Sequence, residues 1–290
     1  MSESQRSRRR VVGEEFDPLG VPIRDAATVM LVRDGHDGLE VFMLRRTLDA
    51  AFAGGMYVFP GGAVDDADRS ADVEAWCDGL TDQRASGMLD VDQGGLAYWI
   101  AAIRECFEEA GVLLARRGDG TVVRFDDPAI ERRYLNHRSA VHDGSLRLID
   151  LCGAEGLRLT TDDIHYVSHW VTPVGERRRF DTRFFLARAP QAQDPLHDAQ
   201  ETIASLWVGP ADALARHERG ELAMIAPTTK NLELLRPHAT ADEALAAAGA
   251  LGRPPTIRPK LRVDDRGRVE VVMPGDPDFA ALPELDGRAR

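Results

Sequence analysis

Two short runs rich in apolar and β-branched residues, 26–32 (AATVMLV) and 39–44 (LEVFML), flank the turn-rich segment DGHDG at 34–38 and predict a β-hairpin. A third run, 56–59 (MYVF), is closed by Pro60-Gly61-Gly62, which ends that strand. From Leu96 the pattern becomes helical. Leu96, Trp99, Ile100, Ile103, Cys106 and Phe107 recur at 3.6-residue spacing and predict a helix over 96–114. Residues 128–153 predict more helix, broken at Gly144. Strands return at 164–171, 180–187 and 203–208. Pro210 and Pro227 stand where helices open, ahead of helices over 211–219 and up to Leu235, with another over 241–248. Ile257, Leu261 and 269–272, around the turn DDRG at 264–267, predict a final hairpin.

Residues 69–96 mix helical and polar pieces without one period, and no internal repeat is present. Strands and helices interleave, so the fold class is α+β. The expected organisation is a flexible polar tail over 1–20, one domain over 21–238, and a C-terminal extension over 239–290 packed on it.

Composition bounds the function. With 43% hydrophobic and 29% charged residues, a 290-residue chain can bury a substantial core without disulfides. A net charge of -12 opposes general binding to nucleic acid or anionic membranes, which require a dominant basic field. Cys77, Cys106 and Cys152 are far apart and form no Cys-x-x-Cys pair, so neither a disulfide framework nor a zinc site is expected, and a reducing cytoplasm fits. The Arg-rich start is followed by no apolar stretch of the signal-peptide kind, and no window approaches a membrane span. Arg288-Ala289-Arg290 is not expected to act as a peroxisomal address.

The chemistry concentrates at 104–112 (RECFEEAGV). Glu105, Glu108 and Glu109 stand at i, i+3 and i+4, which puts their carboxylates on one helix face. Carboxylates so placed repel one another, and a divalent cation with oxygen preference turns the repulsion into coordination; Mg²⁺ suits, with Mn²⁺ as a substitute. Arg104 beside them can orient a carboxylate by bidentate pairing. An isolated Glu-Glu pair is ordinarily a solvated face. Here Arg104, Gly111 and the upstream glycine pair must be explained as well, and five specified residues at fixed positions arise by chance about once in a million starts.

The segment resembles the Nudix box, G-x5-E-x7-R-E-U-x-E-E-x-G-U with U apolar. Residues 104–112 match its second half completely, and Phe59-Pro60-Gly61-Gly62 matches its opening. The early acidic position falls on Asp68 instead of Glu, and the spacing to Arg104 is about 28 residues too long, which makes 69–96 an insertion. The insertion is expected to be a lid, an acyl-chain pocket or an edge decoration. The departure leaves open whether Asp68 plays the supporting role of the usual Glu. The resemblance implies a Nudix fold, a mixed sheet sandwiched between helices, and a pyrophosphohydrolase. It implies Glu105, Glu108 and Glu109 as ligands of the catalytic cations, the Gly61 carbonyl as a backbone ligand, and Arg104, Glu105 and Glu108 in the catalytic group. Glu201, ahead of the 203–208 strand, occupies a place where many Nudix proteins carry a further acid; it is a candidate base or extra ligand, or a loop carboxylate.

The leader Met43-Leu44-Arg45-Arg46-Thr47, with Phe52, Gly54-Gly55 and 56–62, is similar to that of coenzyme A-cleaving Nudix enzymes. The inserted box and the segments 170–173 and 179–185 resemble the acyl-CoA diphosphatase branch of the type 19 kind. The resemblance implies hydrolysis of CoA or acyl-CoA to 3′,5′-ADP and (acyl-)phosphopantetheine. Arg45, Arg46 and Arg183 are candidate phosphate contacts and Phe59 a candidate substrate contact, although each also reads as an ordinary surface Arg or core aromatic. Two alternatives stay open: a Nudix hydrolase of another nucleoside diphosphate derivative (dinucleotide, NADH or nucleotide sugar), and a non-catalytic nucleotide sensor. The partner is a small nucleotide or CoA-type molecule, with no nucleic acid and no membrane; a homodimer is left open.

Overall fold

The computed structural model describes residues 17–48, 53–195, 201–263 and 269–283. The expected tail up to residue 16, Phe52, the residues just before Glu201, the 264–267 turn and the 288–290 terminus lie outside the described residues. In chain order the elements are β1 (Ile23–Gly35), β2 (Gly38–Arg46), β3 (Tyr57–Val58), β4 (Gly61–Ala63), α1 (Asp82–Leu89), α2 (Leu96–Ala110) and β5 (Ala115–Arg117). There follow α3 (Pro128–His142), α4 (Leu148–Glu155), β6 (Leu157–Leu159), β7 (His165–Val171), β8 (Arg179–Arg188) and β9 (Thr202–Val208). The chain closes with α5 (Pro210–Glu218), α6 (Ala226–Leu235), α7 (Ala241–Ala250), β10 (Thr256–Ile257), β11 (Lys260–Val263) and β12 (Val269–Val272).

The central sheet runs β10-β7-β8-β1-β2-β3, with β4 also on β1 and β9 also on β2. It is mixed: β1 is parallel to β8 and antiparallel to β2 and β4. Alternation along the strands sends side chains to two faces. Ala27, Val29, Leu31, Phe42, Leu44 and Phe185 join one core with α2, and Met30, Val32, Val41, Met43 and Leu186 join another with residues of α5, α6 and α7. The sheet is therefore sandwiched between helices, as the α+β reading expects. Among the described residues no helix is long and apolar enough to cross a membrane.

The structure departs from the sequence pattern at four places. The strand over 56–59 does end at Val58, but the glycine pair then opens β4, pairing with Ala26–Thr28 of β1. A Cβ on Gly61 would lie 2.5 Å from the Ala27 carbonyl oxygen, so only glycine permits this approach. The helix expected to reach 114 stops at Ala110, because Gly111 turns left-handed (φ 70°) and its N–H bonds back to the Phe107 carbonyl. β5 and β6 pair across a long gap in sequence; strands of three residues carry no period to detect.

The fourth place is the insertion. It is neither a lid nor an edge decoration: Val73, Cys77, Leu80, Ala85 and Leu89 enter the same core as α2. Asp82 of α1 then supplies the cap that α2 lacks. Its Oδ1 accepts from the Leu96 N–H and its Oδ2 from the Gly94 N–H, both at 2.9 Å. An Asp82→Ala substitution should lower stability by about 1–2 kcal/mol, the cost of a lost cap. Urea unfolding of the two proteins would show it as a lower midpoint at unchanged slope.

Candidate active site

Arg104, in the middle of α2, organises the site. Its Nε donates to Asp68 Oδ1 (3.0 Å) and its Nη2 to Asp68 Oδ2 (3.0 Å), a bidentate pair with both side chains buried. Nη1 donates to Glu105 Oε1 at 2.9 Å and to Glu108 Oε1 at 3.2 Å, and Nη2 also reaches the Ala63 carbonyl at 2.8 Å. Asp68 sits in a 3-10 turn (Asp66–Arg69) whose own hydrogen bond, Asp65 N–H to Asp68 Oδ2, holds the carboxylate in place. The turn brings the chain close enough for the shorter acid to reach. The supporting position of the box is thus filled geometrically, although 36 residues separate the partners.

The three glutamates fan out from α2. Glu109 accepts from the Gly61 N–H at 2.9 Å and faces Arg46 Nη1 at 3.6 Å. Glu105 faces Gly62, where a Cβ would stand 2.4 Å from its Oε1. Glu108 turns to the other side, 3.8 Å from His142 Nδ1. Burial pushes the Glu105 carboxyl up to about 7 against the pull of Arg104. Burial, and then the neighbouring Glu105 charge, holds Glu109 well above the usual carboxylate range. Burial likewise raises Asp68 and Glu108. For Arg104 burial acts against the charge, yet the adjoining Glu105, Asp68 and Glu108 hold its pKa above the ordinary value.

Among the described residues no group of three or more His, Cys, Asp or Glu converges as a ready-made cation cage. The donor chemistry nevertheless fits a hard divalent ion. Glu105 and Glu109 are mostly buried carboxylates with mutual repulsion, facing a glycine pair that leaves the approach clear.

Of the other residues singled out in the sequence, the structure brings Glu201 and Arg46 to the box. Arg46 Nη2 lies 3.4 Å from Glu201 Oε2, so one guanidinium bridges Glu201 and Glu109. Among the described residues its Nε is a buried donor with no hydrogen-bond partner. Arg45 is placed elsewhere: it donates to the Gly55 carbonyl and lies over Tyr57, which packs on the second core. Phe59 is itself buried in that second core, so packing accounts for it. Arg183 is buried on β8, pairs with Asp181, contacts His169 and lies 5.3 Å from the Tyr98 ring. Neither Phe59 nor Arg183 presents a solvent-facing group for substrate.

Two residues of α3 that the sequence did not single out reach Glu108. Arg138 Nε donates to its carbonyl at 2.8 Å, and His142, one turn on, faces its carboxylate. Their i, i+4 spacing was visible, but nothing in a polar helix 30 residues downstream says which neighbour it meets. Replacing Asp68 by Ala leaves the buried Arg104 short of its main partner. The expected result is a kcat/KM lower by roughly 10- to 100-fold with the protein still folded, read by steady-state kinetics beside circular dichroism.

The model of the NUDT19 Nudix domain matches residues 82–236, more than half of the chain. Among curated proteins, the acyl-coenzyme A diphosphatase NUDT19 of Gallus gallus is 29% identical over 255 residues, covering 70% of this chain and 65% of the relative. The Homo sapiens protein of the same name is 29% identical over 211 residues, covering 61% of this chain and 55% of the relative. The chain thus spans 55% to 65% of the length of these two curated relatives. Among solved structures, a NUDIX hydrolase from Alicyclobacillus acidocaldarius aligns with a TM-score of 0.66 at 29% identity, covering 81% of this chain and all of that one. The domain match begins inside the insertion, so the place of Gly61, Gly62 and Asp68 in the box rests on the geometry above. By the extent of the match, the structural likeness and the box residues together, the chain belongs to the NUDT19 Nudix domain family.

Proposed function

We propose that this chain hydrolyses the pyrophosphate bond of coenzyme A or acyl-coenzyme A, releasing 3′,5′-ADP and phosphopantetheine or its acyl form. The observation that carries the hydrolase reading is the Asp68–Arg104 pair, which sets the box glutamates against the Gly61–Gly62 strand. The choice of coenzyme A is supported by the relatives named acyl-coenzyme A diphosphatase.

Glu105, Glu108 and Glu109, with the Gly61 carbonyl, are the residues to hold Mg²⁺ or Mn²⁺. A divalent ion there supplies charge neutralisation of the pyrophosphate and a water of lowered pKa. The protein's own groups do the rest. Arg46, released from Glu109, turns its guanidinium to a phosphate oxygen, to which it can donate two hydrogen bonds. Glu201, about half exposed and linked to Glu109 through Arg46, accepts the proton of the attacking water at its carboxylate. Arg104 keeps Glu105 and Glu108 in orientation throughout. The three buried, free cysteines suit a reducing cytoplasm.

Incubating the protein with Mg²⁺ and a panel of CoA esters, NADH, nucleotide sugars and dinucleotides, with products identified by mass, tests the reading. Production of 3′,5′-ADP from CoA compounds is expected; turnover confined to the other substrates contradicts it. Glu105→Gln and Glu109→Gln should each remove more activity than the roughly 10- to 100-fold expected of a supporting residue. Chelation should abolish turnover, and added Mg²⁺ or Mn²⁺ should restore it. Arg46→Ala should raise KM for CoA about tenfold, equivalent to one charged hydrogen bond of about 1.5 kcal/mol, while kcat falls less.

A further inference from the structure

A strand at the rim of a sheet offers main-chain N–H and C=O groups that no neighbouring strand takes up, and folded proteins ordinarily blunt such rims with proline, charge or brevity. The β10 rim of the central sheet is blunted in this way. It is two residues long, Thr256–Ile257, and lies between Pro255 and Pro259. The rim on the far side of β2 is different. Among the described residues β9 pairs with β2 alone, so its outer side makes no ladder. β9 runs for seven residues, Thr-Ile-Ala-Ser-Leu-Trp-Val, with no charge and no proline, in a chain of which 29% is charged.

One irregularity interrupts the strand. A register shift against β2 between Arg45 and Arg46 leaves Ile203 out of the pairing and 46% exposed. Beyond it, residues 204–208 pair regularly with 41–45. Side chains alternate between the two faces of this regular segment. Leu206 and Val208 belong with the second core, whereas Trp207 packs on the first, its ring 5.2 Å from Phe42 and 4.1 Å from the Arg33 guanidinium. Residues 204–207 are only half-buried.

We propose that this rim pairs with the same rim of a second copy of the chain, antiparallel about a two-fold axis at Leu206, so that one sheet continues through both copies. A two-fold interface must be complementary to itself. The segment 204–208 meets that condition: Leu206 stands opposite Leu206 of the second copy, Ser205 opposite Trp207, and Ala204 opposite Val208. In both flanking pairs a smaller side chain meets a larger one across the strands. No like charges meet along the strand, although the chain carries a net charge of -12 that opposes association over most of its surface. A peptide from another protein would bring side chains of its own to be matched; here the complement of each side chain lies within the strand itself.

Sedimentation equilibrium of the full chain tests this. The unaltered protein should be a dimer at micromolar concentration. In the proposed register Ser205 lies diagonal to Ser205 of the second copy, within reach of long side chains. Ser205→Lys and Ser205→Glu should each raise the dimer Kd at least about tenfold with far-ultraviolet circular dichroism unchanged, and an equimolar mixture of the two should restore association. Should either variant fail to fold, hydrogen exchange of the unaltered protein carries the test: amides of 204–208 should exchange more slowly as concentration rises, and those of β10 should not. A monomeric unaltered protein, a dimer undisturbed by either charge, a mixture of folded variants that stays monomeric, or exchange at 204–208 indifferent to concentration overturns the proposal. The first of these outcomes would leave the rim to a strand of another protein.

Discussion

One buried guanidinium governs the site. Arg104 is enclosed by Asp68, Glu105 and Glu108, with Asp65 at 3.5 Å, and its hydrogen bonds fix where each nearby carboxylate points. A buried charge without partners costs about 3–5 kcal/mol, so the fold must return Asp68 to this place whatever the intervening chain does. The insertion meets that demand by becoming core: its apolar residues pack with α2, and Asp82 caps the same helix. Burial raises the carboxyl pKa values at Glu105, Glu108 and Glu109, and neighbouring carboxylates add to it.

The second constraint is close approach of backbone. Gly61 lies so near β1, and Gly62 so near Glu105, that a side chain on either would displace its neighbour. β4 thereby faces α2, with the Gly61 N–H bonded to Glu109. Arg46 at the end of β2 and Glu201 just before β9 complete the opposite flank.

Much of this was legible in the sequence because it is local. The hairpin of β1 and β2 followed from apolar runs around a turn, and α2 from helical spacing; its three glutamates were visible at i, i+3 and i+4. What depends on long-range contact was not legible. Asp68 reads as a weak substitute for Glu until the 3-10 turn shows how near it comes to Arg104. Arg45 and Arg46 are equivalent as letters, yet only Arg46 meets Glu109. Arg183 reads as a surface cation, but Asp181 and Tyr98 enclose it. His142 and Arg138 carry no local sign that they reach Glu108.

Glu105 is held against Gly62, where we propose that a divalent cation binds. Gly62 does not need a left-handed backbone, and the nearest atoms to an added Cβ are those of the Glu105 carboxylate, a movable group. Gly62→Ala should therefore keep the fold and displace that carboxylate alone. Titrating Mn²⁺ into both proteins, with binding read from the electron spin resonance of free Mn²⁺, is the most direct test. Mn²⁺ affinity is expected to be at least about tenfold lower in Gly62→Ala, with far-ultraviolet circular dichroism unchanged. Equal affinity in the two proteins would contradict it.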